Sequence, residues 1–461
     1  MERTELIEFL SNLVSFDTTI NPDKNLFPTE ECANFVKEHA RKHGFDIIDV
    51  DPTYFQNDIN KPLYPVLVTK RGTKPGKTVL FLGHIDVVPV STAELVEWDH
   101  EPFEPDVVEI DGITHLRGRG AGDMKGGVAA FFAAFDRFEL NAGQVVIALS
   151  GDEEIGGLDT MPALIAALEE RELEPDYVIN AEGSATPVIV TQRRGGTQVK
   201  FEFDLDYDRV TGTETTKIFK SRLGDGGSSL HSMSFVLGSD THAMITAGKM
   251  TMDKPVIHVE SSSEKTNSVP RNVTITYVEK GGTTEYMYSQ GLTKLMHALA
   301  SIGSINLPII KSKYGPAINP NLLEIDQEAG KGAVTFDIRA MLDGSAHQGV
   351  VDAIQQHFVQ YGLTTTSEIV LSIDPVNVSP EHELAVWTKE IAESLEFPIL
   401  TAGEKLGGAS DTRFFTTLGI PGIELGPIAH GGHGINESVE IESIEKLKLI
   451  YRTLYKRIQS E

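Results

Sequence analysis

Two adjacent glutamates, Glu153 and Glu154, stand in a glycine-bounded turn directly after a predicted strand. The apolar run 145–149 leads into this turn, and two further glycines close it. Neighbouring residues at a strand end point in opposite directions, so one carboxylate can hold a metal ion while the other moves a proton. The chain carries 67 Asp and Glu residues among 461, and such a run is more often a solvated loop. The turn therefore has to be judged together with the other reactive groups of the chain.

His84 and Asp86 lie two residues apart in the segment GHIDVVP, at the carboxyl end of another predicted strand. Residues two apart on a strand point to the same side. A carboxylate in that position can hydrogen-bond the far nitrogen of a metal-bound imidazole. A core histidine paired with a carboxylate near a turn gives the same pattern, so the pair alone does not establish a site.

Asp123 lies in the glycine-rich loop GRGAGDMKGG at 118–127, just before an apolar helix. Asp123 replaces the third glycine of the dinucleotide-binding pattern, and Lys125 is followed by glycine where a P-loop has Ser or Thr. A carboxylate here attracts a metal ion and repels phosphate, although a simple strand–helix turn is the alternative. Glu182 follows a third predicted strand, and His433 lies in the loop HGINESVE. Each of these two residues is uninformative when it is considered alone.

Together, these histidines and carboxylates occupy the ends of predicted parallel strands or the adjoining loops. Such positions converge on one edge of a sheet. Mixed imidazole and carboxylate ligands suit Zn²⁺, Co²⁺ or Mn²⁺ better than Mg²⁺ or Ca²⁺, which prefer all-oxygen sites. The pattern therefore favours a transition-metal centre.

Composition restricts the class of protein. A net charge of −27 argues against nucleic acid as a partner, because no basic stripe is present to bind phosphates. Cys32 is the only cysteine, which excludes an intrachain disulfide and fits a reducing compartment. No apolar run approaches the roughly 18–20 residues that cross a bilayer, and the first residues lack the pattern of a signal peptide. The sequence thus predicts a cytoplasmic protein without a membrane partner.

The order of apolar segments predicts an α/β fold with two domains. Residues 1–195 and 376–461 alternate strands and helices, which is typical of a mainly parallel sheet covered by helices on both faces. Residues 196–375 combine half-exposed strand patterns with helices and are expected to form an inserted α+β domain. Its predicted helices lie near 241–250, 285–302 and 347–361. The segments near 206–228 and 303–322 carry no motif.

Six segments give the chain a resemblance to a known family. GHIDVVP, GRGAGDMKGG, SGDEEIGG, AEGS, GGASDTRFF and HGINE resemble, in order and spacing, the signatures of zinc amidohydrolases. That family includes acetylornithine deacetylases, succinyl-diaminopimelate desuccinylases, aminoacylases and glutamate carboxypeptidases. The resemblance covers the whole chain. It implies a zinc-exopeptidase-like catalytic domain, an inserted ferredoxin-like lid and dimerisation domain, and a homodimer.

The resemblance also implies two divalent metal ions, zinc first and cobalt or manganese as alternatives. The ligands would be His84, Asp123 and Glu182 for one ion, and Asp123, Glu154 and His433 for the other. Asp123 would thus bridge the two ions, and Asp86 would steady His84. Glu153 would be the general base that takes a proton from a bridging water and passes it to the leaving amine. Asp152 is expected only to fix the turn or a neighbouring ligand.

Further positions of the family can be matched to this chain. Arg339 in FDIRAM and Arg413 in SDTRFF correspond to arginines that hold a substrate carboxylate, a task that suits a guanidinium fork. A salt bridge on the sheet of the inserted domain is the alternative for Arg339. The family places an oxyanion-stabilising histidine in the inserted domain, reaching the partner subunit's site. His231 fits that spacing best, and His242 is the alternative.

The predicted activity is hydrolysis of the amide bond of an N-acyl amino acid, as in deacylases of the acetylornithine and succinyl-diaminopimelate type. A dipeptidase or carboxypeptidase would use the same centre on a short peptide. A related aminopeptidase family shares the His-x-Asp and Glu-Glu elements but lacks this inserted domain and the terminal HGINE segment. A catalytically inactive binding protein is the alternative from another class. It is disfavoured because Glu153 and every expected ligand are present.

Overall fold

The computed structural model describes two compact units. It covers residues 1–55, 63–224, 232–236, 238–263, 265–342, 346–397, 399–405, 408 and 410–461. The first unit comprises Met1–Gln192, Val376–Gly403 and Ser410–Glu461. The second unit comprises Arg193–Pro375 and Glu404–Ala409.

The described residues contain both helices and strands. The helices are α1 (Arg3–Ser15), α2 (Glu30–Lys42), α3 (Thr92–Leu95), α4 (Gly126–Phe135), α5 (Thr160–Glu170), α6 (Ala243–Met250), α7 (Gln290–Ala300), α8 (His347–Gln360), α9 (Glu383–Ser394), α10 (Thr412–Thr416) and α11 (Ile441–Ile458). The first ten strands are β1 (Asp46–Ile48), β2 (Val66–Arg71), β3 (Thr78–His84), β4 (Asp106–Ile110), β5 (Ile113–Arg117), β6 (Gln144–Ser150), β7 (Tyr177–Asn180), β8 (Val188–Arg193), β9 (Gly195–Asp204) and β10 (Tyr207–Lys220). The others are β11 (Val256–Ser261), β12 (Asn272–Ser289), β13 (Ala317–Asp326), β14 (Lys331–Ala340), β15 (Thr366–Ile373), β16 (Val376–Asn377), β17 (Leu400–Lys405), β18 (Gly422–Glu424), β19 (Ala429–His430) and β20 (Ser438–Glu440).

The main sheet of the first unit has the order β1-β2-β6-β3-β7-β18-β8-β16, with β17 also paired to β8. Its central strands β6, β3, β7 and β18 run parallel, as expected. The pairs β1–β2, β2–β6 and β18–β8 are antiparallel. The sheet is therefore mixed, because an apolar run marks a buried strand without fixing the direction of its neighbours.

Helices cover both faces of this sheet. On β3, Val79 and Phe81 join the larger apolar cluster, which contains α1, α2, α4 and α11 side chains. Leu80 and Leu82 face the other way, into a smaller cluster with α5. This period of two is what a strand buried on both sides requires. All residues of α4 are buried, so this helix is a central support of the unit. It ends at Phe135, with Asp136 as its C-cap residue.

In the described part of the second unit, two antiparallel sheets pack with the helices α6, α7 and α8. One sheet has the order β13-β14-β9-β15 and the other β10-β12-β11. Phe201, Phe336 and Phe358 make edge-on and tilted contacts in its core, with α8 packed on the first sheet. The segment near 206–228, which shows no motif, supplies β10. The predicted role as lid and dimerisation domain stays a prediction.

The predicted helix at 285–302 is wrong at its start. Residues 285–289 continue β12, where Glu285 pairs with Thr211 and Ser289 with Tyr207 of β10. Helix α7 begins only at Gln290, and the Ser289 side chain accepts a hydrogen bond from the Leu292 backbone. The long β-ladder thus overrides the local helical pattern, and a serine N-cap marks the switch.

No helix in the described ranges is both long and apolar enough to span a membrane.

Candidate metal centre

Three neighbouring parallel strands bring the predicted groups to one edge of the main sheet. β3 ends at His84, which is paired in register with Ser150 at the end of β6. On the other side of β3, Leu82 is paired with Asn180 at the end of β7. The Glu153–Glu154 turn and Glu182 follow these two strand ends, so both lie beside His84.

Asp123 lies between the two predicted histidine ligands. Its Oδ1 is 3.1 Å from Nε2 of His84, and its Oδ2 is 3.2 Å from Nε2 of His433. Nε2 of His433 is also 3.0 Å from Oε2 of Glu154. One carboxylate thus uses its two oxygens on two imidazoles, which is the arrangement required of a bridging ligand.

Among the described residues at this edge of the sheet, two groups of three side chains could each hold a cation. His84, Asp123 and Glu154 form one group, and His84, Glu153 and Glu182 form the other, with the ligand atoms of each group within 4.8 Å of one another. A Cβ atom at Gly183 would lie 2.5 Å from the carbonyl oxygen of Gly122. Glycine at 183 therefore permits the close approach that brings Glu182 to the Asp123 loop.

The closely spaced carboxylates of this cluster favour positive charge on the groups beside them. Hydrogen bonds that His433 donates to the carboxylates of Asp123 and Glu154 raise its pKa to about 11. Burial opposes protonation of His84, but its hydrogen bond to Asp123 and the charge of Asp86 outweigh burial and raise its pKa well above 6.5. Burial likewise opposes ionisation of Asp123, but the two histidines hold its pKa well below 3.8. Divalent cations would supply the same countercharge, so the donor set fits cation binding.

The two groups of three side chains differ from the ligand sets that the resemblance implies, because Glu153 and not Asp123 lies with His84 and Glu182. The assignment of ligands to each ion stays a prediction.

Asp86 connects His84 to the Glu-Glu turn. Its carboxylate oxygens accept hydrogen bonds from the backbone N–H groups of Glu153 (3.2 Å) and Glu154 (3.0 Å). Nδ1 of His84 lies 3.0 Å from the backbone carbonyl oxygen of Asp86 and 3.6 Å from its carboxylate. The expected carboxylate–imidazole hydrogen bond is thus replaced by a carbonyl contact. Burial raises the pKa of Asp86 to about 7.

Glu153 and Asp152 have different surroundings despite their adjacency. Burial raises the pKa of Glu153 well above 4.5, the charge of His84 opposes this, and Glu182 adds to it. A carboxyl with a raised pKa is suited to exchange protons near neutral pH. Asp152 instead accepts hydrogen bonds from the backbone N–H and hydroxyl of Thr160 and from Asp159 N. Asp152 therefore fixes the turn, as the sequence suggests.

Glu437 supports the Asp123 loop, a role that the sequence reasoning missed. Its Oε1 accepts hydrogen bonds from the N–H groups of Gly122 and Asp123, both at 2.9 Å. Its Oε2 accepts from Gly120 N (3.0 Å) and from Nη1 of Arg119 (2.7 Å). Glu437 and Arg119 are both buried. The only sequence signal was that Glu437 closes the HGINE segment.

Arg413 and Asp411 lie behind the Glu-Glu turn. The buried Arg413 guanidinium donates to the backbone carbonyls of Ser410 (2.9 Å) and Gly156 and stacks on Phe414. Asp411 accepts a hydrogen bond from the Ser150 hydroxyl at 2.7 Å. Asp411 was not selected from the sequence, although it stands in the GGASDTRFF segment. Both side chains brace the loops that follow β6.

The remaining predicted positions belong to the second unit. Nε of Arg339 lies 2.7 Å from Oδ1 of Asp337 on the same strand. The salt bridge that the sequence offered as an alternative for Arg339 is therefore present. His242 is buried, and its Nδ1 accepts the Met244 N–H at the start of α6. Burial lowers the pKa of His242 to about 3. This helix-capping role disfavours His242 as an oxyanion stabiliser. His231 lies outside the described residues.

The chain is similar in sequence to known proteins over nearly its whole length. Residues 80–457 match the model of Peptidase family M20/M25/M40. The chain is 24% identical over 456 residues to a succinyl-diaminopimelate desuccinylase of Hydrogenovibrio crunogenus, covering 97% of both proteins.

Solved structures share the fold over nearly the whole chain. Aminoacylhistidine dipeptidase from Vibrio alginolyticus has a TM-score of 0.71 at 17% identity, covering 98% of this chain and 96% of the other. The Bacillus subtilis YXEP protein, described as a dinuclear metal binding peptidase, has a TM-score of 0.54 at 12% identity, with coverages of 99% and 98%. With the family match and the clustered ligands, this chain belongs to Peptidase family M20/M25/M40 and is a metal-binding hydrolase of amide bonds.

Proposed function

We propose that the chain hydrolyses the amide bond of an N-acyl amino acid, releasing the acyl carboxylate and the free amino acid. The observation that carries this proposal is the Asp123 carboxylate between His84 and His433, with Glu153 beside it. The relative from Hydrogenovibrio crunogenus, which matches 97% of this chain, is named a desuccinylase. That name supports an N-acyl amino acid as substrate.

Five side chains would hold two divalent ions, most simply zinc, with cobalt or manganese as alternatives. The ligands would be His84, Asp123 and Glu182 for one ion, and Asp123, Glu154 and His433 for the other. When bound, such ions polarise the scissile carbonyl and acidify water. Asp123 keeps the two sets of ligands together, because each of its oxygens faces a different imidazole.

Glu153 moves the proton in this proposal. Its carboxylate takes a proton from the attacking water and delivers it to the nitrogen of the leaving amine. Asp86 fixes the position of Glu153, because its carboxylate accepts hydrogen bonds from the backbone N–H groups of Glu153 and Glu154. The base and one ligand are therefore held by the same buried carboxylate.

The second unit is proposed to contribute to substrate binding. Arg339 would hold the substrate carboxylate, with Asp337 keeping its guanidinium in place. His231 would stabilise the oxyanion in the partner subunit of a homodimer. Cytoplasmic localisation is supported by the single buried cysteine, Cys32.

Arg413 provides a test that separates positioning from substrate binding. We expect Arg413→Lys to lower kcat with little change in KM, and to lower the free energy of unfolding by about 1–3 kcal/mol. The reason is that lysine cannot bridge the carbonyls of Ser410 and Gly156 behind the catalytic turn. Arg339→Lys is the matched comparison and is expected to raise KM. A raised KM with unchanged kcat for Arg413→Lys would instead assign Arg413 to the substrate carboxylate.

A dipeptidase or carboxypeptidase activity at the same centre is the second proposal. Its support is the likeness in fold to aminoacylhistidine dipeptidase, which extends over 98% of this chain. The reaction would be unchanged, and only the acyl side of the substrate would differ.

A substrate panel decides between these activities. The metal-loaded protein would be assayed with acetyl-ornithine, succinyl-diaminopimelate, glutamyl conjugates and simple dipeptides. We expect kcat/KM for an N-acyl amino acid to exceed that for every dipeptide. The reverse order would favour the dipeptidase. Bound metal without hydrolysis of any compound would support the inactive binding protein.

A further inference from the structure

His39, His43 and Asp136 form a cluster in the first unit that the proposed reaction does not use. His39 lies on α2, His43 caps that helix, and Asp136 caps the carboxyl end of α4. Asp123 precedes the other end of α4. Because this helix has 10 residues, its length of about 15 Å separates the two groups. The cluster is therefore distinct from the dinuclear centre.

The three side chains present their ligand atoms to a common point. Nε2 of His39 is 2.9 Å from Oδ2 of Asp136, and Nδ1 of His43 is 3.6 Å from the same oxygen. The two rings are stacked, with centroids 4.4 Å apart. One ligand atom from each residue lies within 4.8 Å of the others. Histidines four residues apart on a helix share a face, which is the spacing that binds one metal ion.

Asp136 is the strongest indication of a missing partner. Its side chain has 0% exposure. Within the described residues, its Oδ1 is buried and accepts no hydrogen bond. A buried carboxylate oxygen without a donor is costly, and a cation would satisfy it.

Access from solvent is also present. The side chains of His39 and His43 are 17% and 23% exposed. They line a cavity of about 230 Å³ together with Glu5, Glu8 and Asp136. An ion can thus reach the cluster, and water has room to complete its coordination.

Two of the nearby positive charges have other partners, while the Met1 ammonium lines the same cavity. The Lys70 ammonium donates to the carbonyl oxygens of His43 and Asp136, and Arg137 is paired with Glu5. Burial lowers the pKa of His43, although the charge of Asp136 opposes this. A lowered pKa favours the neutral imidazole, which is the form that binds metal.

We propose that His39, His43 and Asp136 form a mononuclear site for a divalent transition-metal ion of the zinc, cobalt or nickel class. Two imidazole nitrogens and one carboxylate oxygen leave a fourth position for water, a common arrangement for such ions. The bound ion would tie the end of α2 to the end of α4. This site does not depend on the identity of the substrate.

Metal stoichiometry tests the proposal on the full chain equilibrated with Co²⁺ and then freed of loosely bound ion. We expect one ion more per chain in the wild type than in His39→Gln/His43→Gln. His258→Gln, an exposed histidine of the second unit, is the control and should keep the wild-type content. Hydrolysis by His39→Gln/His43→Gln should stay close to wild type, because neither residue is placed at the dinuclear centre. Equal metal content in the wild type and the double variant would overturn the proposal.

A second measurement covers the case in which the double variant fails to fold. His84→Gln/His433→Gln removes both imidazoles of the dinuclear centre and keeps His39 and His43. With one equivalent of Cu²⁺, its electron paramagnetic resonance spectrum should show coupling to two imidazole nitrogens. A spectrum without nitrogen coupling would reduce the cluster to a buried histidine–aspartate pair.

Discussion

Glu153→Gln is expected to lower kcat by roughly 10²–10⁴-fold, the usual contribution of a general base, while the metal content stays unchanged. Glutamine preserves the shape of the side chain and the hydrogen bond from its backbone to Asp86, but it cannot accept the proton of water. Steady-state kinetics together with metal analysis of the same sample measure both effects.

Glu154→Gln is the matched comparison for this change. It alters the neighbouring residue of the same turn, but Glu154 contacts His433 and is assigned to a metal ion. We therefore expect it to lose metal as well as activity. If Glu153→Gln kept wild-type turnover, Glu153 would not be the base, and the proposed division of work between the two glutamates would be wrong.

Glu437→Gln is expected to weaken metal binding by about 10–100-fold, the usual effect of losing the support behind a ligand. It is also expected to lower the free energy of unfolding by about 3–5 kcal/mol, because the buried Arg119 charge loses its partner. The glutamine amide nitrogen would also face a backbone N–H group that donates to a carboxylate oxygen in the wild type, so two donors would oppose each other. Competition with a chelator and urea unfolding measure the two quantities.

Glu440→Gln serves as the control for Glu437→Gln. Glu440 lies three residues further on, and its side chain is 3.3 Å from the exposed His430. Its loss should change neither metal affinity nor stability by a comparable amount. A folded Glu437→Gln protein with wild-type metal affinity would show that the Asp123 loop holds its position without Glu437.

The sequence allowed the proposed ligands to be selected because each follows an apolar strand or lies in a glycine-rich loop. The central strands of the main sheet are parallel, so their carboxyl ends lie at one edge. This places His84, the Glu-Glu turn and Glu182 together. The contacts of both Asp123 oxygens with imidazoles could not be inferred from residue spacing. One of these contacts comes from the loop of His433, about 300 residues further along the chain.

The supporting residues escaped sequence reasoning for the same physical cause. Glu437 contacts backbone N–H groups more than 300 residues earlier, with a separation of 314 from Asp123. The substrate role of Arg413 stays a prediction, and its contact with the carbonyl of Gly156 is a further feature that its motif does not show. Backbone partners carry no side-chain signature in the sequence. The start of α7 was misplaced because the pairing of β12 with β10 is also a long-range effect.

The support that Glu437 gives to Asp123 has a consequence for the order in which the site can assemble during synthesis of the protein. His84, Asp123 and Glu154 leave the ribosome before His433 and Glu437. Until those later residues are made, the nascent chain would carry an incomplete set of the proposed ligands, and the Asp123 loop would lack the support of Glu437. Stable capture of the two proposed ions would then have to wait until the segment with His433 and Glu437 has folded against the Asp123 loop.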